Sequence, residues 1–141
     1  MIGLGSDIID IRRIENTLSK FGDRFKKRIF TENEIKKCEG RKESVACYAK
    51  RFAAKEAAAK ALGTGFRDGV FWRDLEVTNL PSGKPTIAFH GNSQLRLKKI
   101  VRDKEPDISL TITDEFPYAQ AIVTINSVSY THLTLPTKVT V

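Results

Sequence analysis

The run RFAAKEAAAKALGTG at residues 51–65 limits the fold more than any other segment. Alanine is the best helix former. Gly63-Thr64-Gly65 is a natural stop, because glycine accepts the left-handed conformation at a helix C-terminus. Extended back to Ser44 and stepped by about 100° per residue, the segment predicts a long helix. Val45, Tyr48, Ala49, Phe52, Glu56 and Ala59 share one face of it. That face reads as the apolar seam, with a carboxylate in its middle. An ionised carboxylate in such a seam must pair, protonate or hold a metal. Glu56 is therefore a candidate for chemistry. The plainer alternative is an i,i+4 ion pair with Lys60, worth about a few tenths of a kcal/mol.

The flanking segments suggest an α+β chain. Residues 2–9 read as a strand whose period of two places Gly3, Gly5, Asp7 and Ile9 on one face. Two glycines beside an acid leave room for another backbone or a ligand. Asp10 can cap a helix carrying Ile11, Ile14, Leu18 and Phe21, closed by Gly22. DRFKKRIF at 23–30 suggests a short basic helix, and Thr31 with Glu34 has capping-box spacing for another. Strands follow at 74–80 and 86–90 around the PSGKP turn, then a helix at 92–102. A last hairpin joins 107–113 to 118–125. Helices dominate early and antiparallel strands late, the α+β pattern. Residues 127–141, rich in Thr and Ser and free of acids, read as read-through sequence outside a domain spanning 1–126. An extra edge strand is the alternative.

Charge narrows the partners. The chain of 141 residues has a net charge of +7, and residues 1–65 carry 15 Lys and Arg against 9 Asp and Glu. Such a basic half attracts a polyanion: nucleic acid, a nucleotide cofactor or an acidic protein. No stretch approaches the roughly 20 apolar residues of a membrane helix. The N-terminus lacks the charged lead and long apolar core of a signal peptide. Cys38 and Cys47 form neither a CxxC nor a Cys/His cluster. Reduced thiols in a cytoplasmic protein are therefore expected.

Asp7 and Glu56 form the first candidate pair. Mg²⁺ is held by oxygen ligands and commonly bridges one or two carboxylates to a substrate phosphate. The alternative for Asp7 is a turn or capping acid. Lys60, one turn after Glu56, can meet phosphate oxygens as a point charge. Arg51 and Lys55 flank the seam, which points to a solvated role for at least one of them. Gly63 can offer its N–H to phosphate or merely end the helix. Neither a GxxxxGK[ST] loop nor GxSxG occurs, and His90 and His132 form no evident site.

GLGSDIIDIRRI at 3–14, RFAAKEAAAKALGTG at 51–65 and SGKP at 82–85 together resemble the holo-acyl-carrier-protein synthase type of 4′-phosphopantetheinyl transferase, from residue 1 to about 126. The resemblance implies that family's fold, with N-terminal helices packed on a mainly antiparallel sheet. It implies transfer of 4′-phosphopantetheine from coenzyme A to a serine of apo-acyl carrier protein, releasing adenosine 3′,5′-bisphosphate. It also implies Mg²⁺ and a homotrimer with active sites between subunits, acting without nucleic acid or membrane. Asp7 and Glu56 match its magnesium ligands and Lys60 the lysine near the reacting phosphate. Arg51, Gly63, Lys84 and Pro85 match coenzyme A positions. Asp114 stands where many members have a histidine near the nucleotide. Arg13, Arg24 and Arg28 match positions that dock the acidic carrier.

The serine proton then goes to Glu56 or to a water beside the metal. Ala54, Ala57, Ala58 and Ala61, on the other side of the helix, would let a second surface approach closely. Two other readings share parts of the pattern. A nucleic-acid binder would use the basic half, but aromatics are not interleaved with it. A Mg²⁺-dependent phosphohydrolase would use the same acids without a protein acceptor.

Overall fold

The computed structural model describes residues 1–128. Five helices and five strands run in the order β1 (Gly3–Asp10), α1 (Ile11–Phe21), α2 (Asp23–Ile29), α3 (Glu32–Glu39), α4 (Ser44–Leu62), β2 (Leu75–Asn79), β3 (Pro85–Phe89), α5 (Gly91–Ile100), β4 (Pro106–Glu115) and β5 (Tyr118–Ser127). A single 3₁₀ turn, Trp72–Asp74, leads into β2. The expected α+β architecture is present. Its strands divide into an antiparallel β1-β5-β4 sheet and a separate β2-β3 hairpin.

Local chemistry explains the element ends. Asp10 accepts from the Arg12 N–H and opens α1. Thr31 and Glu34 complete a capping box at α3. Gly63 closes α4 with φ 82° in the left-handed region. The expected tail falls mainly on residues 129–141, which lie outside the described residues.

Helix α4 is the axis of the fold. It lies on β1 and β5, and α1, α3 and β2 pack around it. The contact with β1 is backbone on backbone. A Cβ at Gly3 would sit 2.1 Å from the Ala61 carbonyl oxygen, and one at Gly5 would sit 1.9 Å from that of Ala57. The glycines therefore admit the helix of the same chain, not a ligand. Ala57 and Ala61 make this contact, and Ala54 and Ala58 are buried as well. The small-residue face expected to meet a second surface meets the protein's own sheet. Phe30, Tyr48, Leu75, Leu110 and Ile125 fill the core around this spine.

The expected seam on α4 is rotated. Its buried positions run nearly all round the helix and include Arg51 and Lys55. Phe52 and Glu56 are only half-buried and Lys60 is exposed. These three, spaced by four residues, mark the open face. A helix enclosed on most sides has no single apolar stripe: of the expected seam, Tyr48, Ala49 and Ala59 are buried, while Val45, Phe52 and Glu56 are only partly so. The enclosed ion pair is instead Lys55–Glu34, 2.7 Å apart, with both side chains at 0% exposure. Lys55 also donates to the Trp72 and Leu75 carbonyls, and Glu34 accepts from the Val77 and Thr31 N–H groups. Burial pushes the Lys55 ammonium down, and Glu34 opposes the shift.

The cysteines also depart from expectation. Cys38, in the last turn of α3, is joined to Cys47, in the first turn of α4, by a disulfide with Cα atoms 5.4 Å apart. Free thiols were expected because the sequence separation fits no redox or metal motif. The short turn between two packed helices brings the two residues together.

Candidate active site

The β1–α4 contact determines the site. Backbone contact at Gly3 and Gly5 brings the next inward position of β1, Asp7, beside the open face of α4. There it meets Glu56. The Glu56 carboxyl is pushed above its ordinary value, first by burial and then by the charge of Asp7 and hydrogen bonding with it; Lys60 and Arg13 pull the other way. Lys60 Nζ lies 3.2 Å from Asp7 Oδ1 and donates to the Ser6 carbonyl at 3.0 Å. Two acids distant in sequence thus share one partly solvated corner with two cations.

This corner fits a hard divalent cation. Its two carboxylates supply oxygen ligands, and the Asp7 charge, which adds to burial in lifting Glu56, is the kind of repulsion a dication relieves. No cluster of three or more His, Cys, Asp or Glu suited to a metal occurs among the described residues. Mg²⁺ needs no such cluster, since it often keeps several waters and uses substrate phosphate as a ligand.

The other candidate residues distribute around this corner. Arg51 is 7% exposed, so neither it nor Lys55 has the solvated role expected for one of them. Its Nη1 donates to the Cys47 carbonyl at 3.4 Å and lies 3.0 Å from Cys47 Sγ, while its Nε has no partner. Burial lowers its pKa and Glu34 opposes the shift. Asp114, next to last in β4, lies 3.8 Å from Lys50 Nζ. It borders a cavity of about 360 Å³ with Arg41, Lys42, Cys47 and Lys50. The Gly63 N–H bonds to the Lys60 carbonyl, so helix closure occupies it. Lys84 is exposed in the β2–β3 turn and Pro85 begins β3; no hydrogen bond or ion pair joins either to the acid corner among the described residues.

Arg13, Arg24 and Arg28 are exposed on α1 and α2. Arg24 and Arg28 line a cavity of about 260 Å³ with Thr17, Phe21 and Phe25, a basic rim around an aromatic floor.

Sequence reasoning missed two residues near the site. Arg96 on α5 donates to the Leu62 carbonyl at 3.0 Å and so braces the C-terminal end of α4. Lys50 pairs with Asp114 across the cavity mouth. Neither lies in a motif; only the tertiary fold brings each to its partner.

The chain resembles known proteins along most of its length. Residues 3–121 match the family model described as the 4′-phosphopantetheinyl transferase superfamily. A holo-[acyl-carrier-protein] synthase of Brucella ovis is 57% identical over 128 residues, covering 90% of this chain and 96% of the relative. The crystal structure of the Neisseria meningitidis holo-[acyl-carrier-protein] synthase superposes with a TM-score of 0.78 at 35% identity, covering 90% of this chain and 99% of that one. The Bacillus anthracis synthase, solved in complex with CoA (3′,5′-ADP), gives 0.72 at 36% identity over 90% and 97%.

Proposed function

The chain belongs to the 4′-phosphopantetheinyl transferase superfamily, and from that membership we propose that it transfers the 4′-phosphopantetheine group of coenzyme A to a serine of apo-acyl carrier protein, forming holo-carrier and adenosine 3′,5′-bisphosphate. The observation that carries this reading is the meeting of Asp7 and Glu56 beside Lys60 on the open face of α4. Relatives named as holo-[acyl-carrier-protein] synthases, one of them holding CoA, support the choice of substrates.

Asp7 and Glu56 would hold Mg²⁺, which supplies neutralisation of the diphosphate and polarisation of the phosphorus under attack. The carrier serine hydroxyl attacks the phosphorus bearing the pantetheine arm. The bond from that phosphorus to the bridging oxygen breaks, and adenosine 3′,5′-bisphosphate leaves with the bonding electrons. The serine proton passes to Glu56 or to a water beside the metal site. Lys60 stabilises charge on the departing phosphate as a point cation. Most of this catalysis is positioning and electrostatics, so the protein needs no nucleophile of its own.

The exposed Arg13, Arg24 and Arg28 suit an acidic carrier, and the aromatic floor at Phe21 and Phe25 suits apolar side chains on it. Arg51, Gly63, Lys84, Pro85 and Asp114 are assigned to coenzyme A. The cavity at Asp114, where Arg41, Lys42 and Lys50 outnumber the acids Glu43 and Asp114, supports an anionic ligand there. We assign the protein to the cytoplasm, to carrier-based fatty acid synthesis, and to a homotrimer with domain limits 1–126. The trimer is supported by the outer face of the β1-β5-β4 sheet, where Leu4, Ile8, Tyr118 and Ile122 are exposed.

The test is incubation with coenzyme A, Mg²⁺ and apo-acyl carrier protein, followed by intact-mass analysis of the carrier. A gain of one phosphopantetheine arm is expected. Consumption of coenzyme A without that gain would replace the transferase with a phosphohydrolase.

A further inference from the structure

We infer that the Cys38–Cys47 disulfide is an exchangeable bond, opened by a small anionic thiol from the neighbouring basic cavity, and that Arg51 couples its state to ligand binding there. The coupling rests on the coenzyme A reading given above; the exchange does not.

Position makes the bond reachable. Cys38 is fully enclosed and Cys47 is 2% exposed, but Cys47 forms part of the wall of the 360 Å³ cavity, where Arg41, Lys42 and Lys50 stand with the acids Glu43 and Asp114. Three cations against two acids leave that lining net positive, so an anionic thiol is drawn to it and approaches the disulfide from the Cys47 side. Its thiolate attacks that sulfur, forming a mixed disulfide with Cys47, and Cys38 leaves as a thiolate that takes up a proton. A second thiol attacks the outer sulfur, releasing the small-molecule disulfide and the Cys47 thiolate. Glutathione supplies both reducing equivalents, and glutathione disulfide reverses the sequence. In the cytoplasm a protein disulfide is usually transient and redox-sensing.

Arg51 makes the state of the bond matter. Its Nη1 lies 3.0 Å from Cys47 Sγ. A guanidinium at that distance favours the thiolate once the bond opens. In the oxidised protein the sulfur is neutral, Glu34 is the acid acting on the Arg51 charge, and the Arg51 Nε has no hydrogen-bond partner. In the reduced protein the Cys47 thiolate neutralises that charge. Oxidation should therefore favour an anionic ligand in the cavity and reduction should disfavour it.

The experiment has two arms on the full chain. Alkylation under native conditions, read by intact mass, should count no free thiols in oxidised protein and two after glutathione, reversed by glutathione disulfide. Titration calorimetry with coenzyme A should show about five- to tenfold weaker binding after reduction. Cys38→Ser should bind weakly in either condition, because it keeps the thiolate. The Cys38→Ser/Cys47→Ser double variant should bind like the oxidised protein and ignore glutathione; circular dichroism checks that both variants fold. A thiol count that glutathione leaves unchanged overturns the exchange. Equal affinities in two forms that differ in thiol count overturn the coupling. No coenzyme A binding in either form overturns the substrate reading, while the thiol count still decides the exchange.

Discussion

Glu56 is under tension in the ligand-free protein. Its carboxyl lies above the ordinary 4.5 through burial and the nearby Asp7 charge. The folded state therefore binds a proton more tightly than the unfolded chain. This contribution to stability is present below the ordinary carboxylate range and declines as pH rises through the raised value. Glu56→Gln should remove that decline. In the absence of divalent ions it should raise Tm at pH 7.5 by about 1–2 °C, a figure kept small because the site is partly solvated. The same substitution should lower transfer by about a hundredfold or more. A lower Tm in differential scanning calorimetry would contradict the account of the pair. Arg13→Glu should raise the KM for the carrier several-fold and leave that for coenzyme A nearly unchanged. Glu56 stood out as one acid in an alanine helix, although the reason given for it was partly mistaken. The carboxylate buried to completion is Glu34. Its capping-box position gave it a sufficient local role and concealed its pairing with Lys55.

At the scale of elements, the approach of β1 to α4 sets the distance between the acids. Gly5→Ala would drive a Cβ into the Ala57 carbonyl, which is backbone and cannot rotate away. A loss of about 2–3 kcal/mol is expected in denaturant unfolding, with loss of transfer as Asp7 shifts from Glu56. A variant of wild-type stability and activity would show that the close approach is unimportant. Lys55→Met leaves Glu34 buried without its cation and should cost about 3–5 kcal/mol. Helix ends were readable because caps are local: Asp10, Thr31 and Gly63 each act within a few residues. The buried side of α4 was not readable. A helix enclosed by a sheet, two helices and a hairpin shows only where it is open, and its open face carries Phe52 and Glu56. The glycine pair was recognised as a place of close approach, but its partner required the tertiary fold.

The whole molecule has two surfaces of contrasting chemistry. The helical side presents Arg13, Arg24 and Arg28. The outer sheet face presents Leu4, Ile8 and Ile122 among Ser6, Gln120 and Thr124. Ile8→Lys should convert the proposed trimer to monomer in analytical ultracentrifugation and reduce transfer, as expected if sites lie between subunits. A monomeric wild type would remove the role assigned to that face. The claim on which the rest depends is that Asp7 and Glu56 jointly hold a divalent cation. Mn²⁺, which favours the same oxygen ligands as Mg²⁺, gives the direct measurement by electron paramagnetic resonance titration with saturating coenzyme A. Wild-type protein should bind one ion per chain. Asp7→Asn and Glu56→Gln should each weaken binding at least tenfold, about 1.4 kcal/mol. Unchanged affinity in either variant would contradict the account.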